Sequence, residues 1–187
     1  MTVKAFIKEP QKEYVNTEVR KVSKVRCLTI TGIMAALITI TTAYLFHIPV
    51  GVNGGYVHVG DAMIYLAAVL LPRPYALVAA AIGGGLADLL TAPMWVPATI
   101  VIKMLIVIPF SSKAKRIITP RNMLATVLAY VISGVGYFLA EYIIFGTWSV
   151  LLVSMVQTLV QSAGSAVLFI FIGIAFDKVH MKTRFFE

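Results

Sequence analysis

Lys103 stands inside the apolar run ATIVIKMLIVIPF, residues 98–110. An ammonium in such surroundings is costly and needs an anionic partner or a ligand. Three acids occupy comparable positions, Asp61, Asp88 and Glu141. Together these groups could do two things. Lys103 could form a structural ion pair with Glu141 or Asp88. Alternatively, the four charges could hydrogen-bond a polar ligand. Tyr137 lies one helical turn from Glu141 on the same face, and Gln157 and Gln161 carry amides into the last apolar segment. Tyr56, Trp95 and Tyr137 could stack on a planar ring; Tyr56, Trp95 and Trp148 could instead belong to an interfacial aromatic belt. His58, in a glycine-rich stretch, reads as a surface histidine or a ligand contact. Asp61 could also be a helix N-cap. The expected ligand contacts are Tyr56, His58, Asp61, Asp88, Trp95, Lys103, Tyr137, Glu141 and Gln157.

Catalytic patterns are absent from the sequence. No phosphate-binding Gly-x-x-x-x-Gly-Lys-Ser/Thr motif occurs, so the chain does not hydrolyse ATP by that route. His58-Val59-Gly60-Asp61 resembles the Gly-x-Gly-Asp of intramembrane aspartyl proteases, but a histidine stands where the first glycine belongs and Asp61 would sit at the membrane surface. The Gly-x-Ser-Gly motif of rhomboid proteases is missing too. The single cysteine, Cys27, excludes an internal disulfide and a multi-cysteine metal site. No enzyme activity, metal or cofactor is expected.

The elements that must position these groups are membrane helices. The 187 residues are 59% hydrophobic and only 13% charged, against about a quarter charged in soluble domains. Six apolar segments read as spans: 28–46, 61–71, 75–91, 98–110, 123–145 and 148–176. Pro72-Arg73-Pro74 must break the second from the third, because proline lacks the amide a helix interior needs. Fifteen of the sixteen Lys and Arg residues fall in the tails and loops on one side of this arrangement. The positive-inside rule puts that side in the cytoplasm. The expected fold is therefore an all-α integral membrane protein: one bundle of six transmembrane helices with both termini cytoplasmic, in a prokaryotic plasma membrane. Residues 1–27 form a basic tail with an interfacial helix after Pro10, 28–176 the bundle, and 177–187 a second tail. The net charge of +8 serves orientation in the lipid bilayer, not nucleic-acid binding.

In this topology all four buried charges lie in the outer half, and the inner half is nearly pure apolar and small residues. That asymmetry predicts a pocket open to the outside and closed below. The stretch HIPVGVNGGYVHVGD, residues 47–61, is the only outer segment long enough to cover it, and its glycines allow backbone conformations closed to other residues. Small residues recur at Gly32 and Ala36 and through 79–87. They let helix backbones approach closely, within the chain or against a partner. Gly32, Ala36, Ala80 and Gly84 are the expected docking positions.

Over residues 28–176 the chain resembles the substrate-binding S components of energy-coupling factor (ECF) vitamin transporters. The resemblance rests on size, six spans, a small-residue first span with Gly32-x-x-x-Ala36, and a long first outer loop. The segments GYVHVGDAMIYLAAVLL and GGGLADLL, then Trp95-Val96-Pro97 and Lys103, resemble the branch with hydroxymethylpyrimidine and related B-vitamin transporters. The resemblance implies capture of a small vitamin, such as a hydroxymethylpyrimidine- or pyridoxine-like ring, from outside. It further implies docking through spans 1–3 on a membrane T component coupled to two ATPase subunits, and toppling to release the vitamin inward. The alternative is a small secondary carrier that works alone as a homodimer. A structural or assembly protein would bind no ligand at all.

Overall fold

The computed structural model describes the backbone of residues 9–45, 48–49, 56–146 and 151–186, and the side chains of 24–45, 58–146 and 155–183. The chain is helical almost throughout. Its elements are α1 (Glu9–Ala43), a two-residue antiparallel pairing of β1 (Ile48–Pro49) with β2 (Tyr56–Val57), α2 (Asp61–Leu70), α3 (Arg73–Thr91), a 3-10 turn at Pro93–Trp95, α4 (Val96–Val107), α5 (Pro120–Phe145), α6 (Leu151–Lys178) and α7 (Met181–Phe186). At 35 residues α1 is about 50 Å long, well beyond a hydrocarbon core of about 30 Å. The basic segment is thus helical from Glu9 and runs without a break into the first apolar stretch.

Local chemistry sets the helix boundaries. Leu71, which precedes Pro72, is extended at φ −91° and ψ 150°, and α3 starts anew with Pro74 in its first turn. Ala92, before Pro93, also leaves the helical region, at φ −149° and ψ 67°, and ends α3. At the start of α5 the Thr119 side chain accepts from the Asn122 amide at 3.2 Å. Gly146 closes that helix in the left-handed conformation, at φ 68°, which favours glycine.

Among the described residues, four helical stretches are long and apolar enough to cross a membrane: Lys24–Ala43, Arg73–Thr91, Pro120–Phe145 and Met155–Lys178. Two shorter apolar helices accompany them, Asp61–Leu70 and Pro93–Val107. The long helices leave apolar side chains exposed, among them Leu37, Ile82, Val131 and Phe171. Lipid can cover such a surface, because helices satisfy their own backbone groups. α2 differs: nine of its ten residues are buried. It is the inner element of the bundle, and it carries Asp61 with it. Beneath the polar end, Tyr65 of α2 stacks on Phe110 at 5.0 Å and meets the edge of Phe169 at 5.9 Å.

The small residues of α3 account for close packing inside the chain. A Cβ on Gly83 would lie 2.6 Å from Ile38 Cβ and 2.9 Å from the Ala35 carbonyl oxygen, so α1 and α3 need glycine there. The Thr39 hydroxyl donates to the Gly83 carbonyl across the same seam at 3.1 Å.

The basic connection before α5 is fastened to the end of α6. The Ile117 and Ile118 amides donate to the two Asp177 carboxylate oxygens at 2.7 and 3.0 Å. Lys182 donates to the Ala114 carbonyl at 2.5 Å. Burial lowers the Lys182 ammonium below the usual lysine pKa, while Asp177 opposes that shift. Asp177→Ala strands two amides and should lower stability by about 1–3 kcal/mol. Denaturation of the detergent-purified protein should show this loss, and an unchanged midpoint would remove Asp177 as the fastener.

Candidate ligand-binding site

The polar groups converge at one end of the bundle around a buried ion pair. Lys103 Nζ of α4 lies 2.5 Å from Asp61 Oδ1 of α2, with the two side chains 1% and 0% exposed. The Gln161 amide of α6 donates to the other oxygen, Asp61 Oδ2, at 3.0 Å. One carboxylate thus receives an ammonium and an amide, which is what a buried charge requires. Above Lys103, the ammonium lies 5.4 Å from the centre of the Tyr137 ring, close enough for a cation–π contact.

A second chain of hydrogen bonds runs beside the first. The Thr99 hydroxyl donates to Asp88 and lies 3.1 Å from the Tyr137 hydroxyl. Trp95 meets Tyr137 edge-on, with ring centres 6.1 Å apart. The Trp95 ring is buried and its indole N–H has no hydrogen-bond partner among the described residues. The Gly60 amide donates to His58 Nδ1 at 3.0 Å.

These groups bound a cavity of about 70 Å³ lined by Thr42, His58, Asp88, Trp95, Lys103, Tyr137, Glu141, Gln157, Thr158 and Gln161. It has room for several waters, at roughly 10–15 Å³ each, or for part of a small ring. Seven of the nine expected contacts line it: His58, Asp88, Trp95, Lys103, Tyr137, Glu141 and Gln157. Asp61 supports the cavity from below through Lys103. The Tyr56 side chain lies outside the described residues, as do residues 47 and 50–55 of the expected covering segment.

The geometry corrects several expectations. The ion-pair partner of Lys103 is Asp61, not Glu141 or Asp88. Asp61 is not an N-cap: it is fully buried within the protein, and the cap position of α2 is Gly60. The reason is the depth at which α2 enters the bundle. Of the expected docking residues, Gly32 and Ala36 do lie on an exposed face of α1. Ala80 is 0% exposed and Gly84 packs against Lys103 and Thr99, so neither is available to a partner. Sequence reading passed over Thr42, Thr99 and Thr158. A threonine in a membrane helix usually bonds its own preceding turn, as Thr31, Thr39 and Thr91 do here, so its residue type carries little signal.

A family model described as ECF-type riboflavin transporter, S component, matches residues 22–178. The chain belongs to the ECF transporter S-component family. This S component is also 34% identical over 111 residues to an "uncharacterized protein in gap 3'region" of Pyrococcus woesei; the aligned part is 58% of this chain and 74% of the relative. An S component is a multi-pass membrane protein that binds a transporter's substrate and is not an enzyme, which suits a cavity built from hydrogen-bonding groups and one aromatic wall. The matched description names riboflavin, whereas the sequence resemblance pointed to the hydroxymethylpyrimidine branch.

Proposed function

We propose that this S component captures a small B-vitamin or vitamin precursor from outside the cell and delivers it through a T component and two ATPase subunits. The observation that carries this reading is the convergence of Trp95, Tyr137, Lys103, Asp88 and Glu141 on one cavity. Trp95 and Tyr137 offer an aromatic wall, and the charged and amide groups offer directional hydrogen bonds to a planar polar ring. A hydroxymethylpyrimidine- or pyridoxine-like ring is the kind of planar polar ligand these groups would hold. Mass spectrometry of small molecules carried through purification in mild detergent tests the reading. A single-ring vitamin at near-stoichiometric amount is the expected result; a protein that retains nothing, and binds no added vitamin, would overturn it.

The same reading assigns six crossings with both ends in the cytoplasm, so that the cavity faces outward. Support comes from the charge asymmetry: residues 44–60, 92–97 and 146–150 contain no Lys or Arg. In a Cys27→Ala background, Asn53→Cys should react with an impermeant thiol reagent in intact cells. Lys115→Cys should react only after the membrane is opened. The reverse pattern would invert the topology and with it the direction of capture.

A further inference from the structure

A second cavity, of about 380 Å³, opens at the end of the bundle opposite the ligand cavity. Three exposed cations line it: Arg73 at the start of α3, Lys113 in the connection after α4, and Arg121 in the first turn of α5. Ala68, Val107 and Phe110, each at most 5% exposed, form its apolar floor. Neither Asp nor Glu lines it among the described residues. Like charges gathered around one opening repel each other, and an anion placed among them relieves that repulsion.

The backbone around these cations is tied down. Asn122 of α5, 0% exposed, clasps the connection that carries Lys113. Its Oδ1 accepts from the Ser111 amide at 3.0 Å, and its Nδ2 donates to the Ser111 and Ile117 carbonyls at 3.3 and 2.9 Å. The Lys113 amide donates to the Ser111 hydroxyl at 3.4 Å. Arg73 Nη2 donates to the Ile108 carbonyl, just past α4, at 3.4 Å. Ser111 and Ser112 also line the cavity and add hydroxyl groups that can donate. The cavity is thus assembled from three separate stretches of chain without a ligand to organise it.

The floor narrows the kind of anion. A free phosphate gains nothing from Val107 and Phe110, whereas a phospholipid presents a phosphodiester and hydrocarbon together. Leu105, Ile108 and Leu124 are exposed within a turn of the cavity residues, so lipid chains reach its edge. Basic pockets between membrane helices hold anionic head groups in this way. We propose that this cavity binds the head group of an anionic phospholipid. Its phosphodiester meets Arg73, Lys113 and Arg121, and its glycerol and first methylenes lie on Val107 and Phe110. A choline head group would bring its own ammonium against the three cations. Bound lipid would hold the connection between α4 and α5 at the level of the head groups. The proposal is independent of which vitamin the other cavity takes.

The test is native mass spectrometry of the full chain, stripped of lipid in detergent and titrated with phosphatidylglycerol, phosphatidylcholine or inorganic phosphate. Phosphatidylglycerol is expected to bind at least about tenfold more tightly than phosphatidylcholine. Arg73→Gln, Lys113→Gln and Arg121→Gln should each weaken it about fivefold, the worth of one cation near an anionic lipid. All three side chains are exposed, so the lipid-free variants should melt with the wild type. Should one of them fail to fold, the other two carry the comparison. Lys24→Gln removes an exposed cation outside the cavity and should leave the affinity unchanged. An equal loss in Lys24→Gln would reduce the effect to general attraction and overturn the site. Equal binding of the two lipids, or cavity variants that bind phosphatidylglycerol like the wild type, would overturn it as well. Inorganic phosphate that binds as tightly as the lipid, and is weakened by the same variants, would make this a small-anion site and overturn the lipid assignment.

Discussion

Lys103→Met is expected to destabilise the protein by about 3–5 kcal/mol, the cost of leaving one member of a buried ion pair uncompensated. Asp61 would then sit at 0% exposure without its ammonium partner, keeping the Gln161 amide as a hydrogen-bond donor. Asp61→Asn should cost a similar amount, because it strands the ammonium instead. Combining the two should recover most of the stability, since a neutral pair avoids the desolvation that the charged pair must overcome. Melting of the detergent-purified variants reads this out. Single variants that melt with the wild type would show that Lys103 and Asp61 are not coupled. The double variant also separates support from recognition. Lys103 lines the cavity, so the double variant should fold and still bind ligand more weakly, by about 1–3 kcal/mol.

Gly32→Leu should abolish uptake by the assembled transporter while leaving the isolated chain intact. A Cβ at Gly32 would meet nothing within 4 Å, so a larger side chain enters open space on the surface of α1. Stability should change by no more than about 0.5 kcal/mol, and ligand affinity should be unchanged. A T component that packs its backbone against this face would be pushed away. Uptake in cells with all subunits, and copurification of the T component with this chain, should both fall at least about tenfold. Gly84→Leu provides the contrast. Its Cβ would lie 2.9 Å from Lys103 Cγ and 3.3 Å from Thr99 Cγ2, so overpacking of about 1–3 kcal/mol is expected in the isolated chain. Normal transport by Gly32→Leu would take this face of α1 out of the docking surface.

The membrane character, the helix breaks at Pro72 and Pro93, and the gathering of acids around one lysine were legible in the chain itself. Hydropathy and proline geometry act over a few residues, so they survive in any reading of a single sequence. The aromatic wall was half legible: Trp95 and Tyr137 were expected contacts, but their edge-to-face approach across 42 positions depends on how α5 lies against the turn before α4.

Local pattern could not choose among partners. Asp61, Asp88 and Glu141 are equivalent as acids in apolar segments, and Lys103 could have met any of them. Asp61 is the partner because α2, a short helix buried on nearly every side, carries it to full burial beside α4. The small residues show the same division. Gly32 and Gly84 look alike in sequence, yet one faces open space and the other abuts a lysine stem. A side chain's type and its distance to the next apolar residue are written along the chain, whereas the direction it faces is set by the rotation and depth of a whole helix, which only packing against the other helices determines.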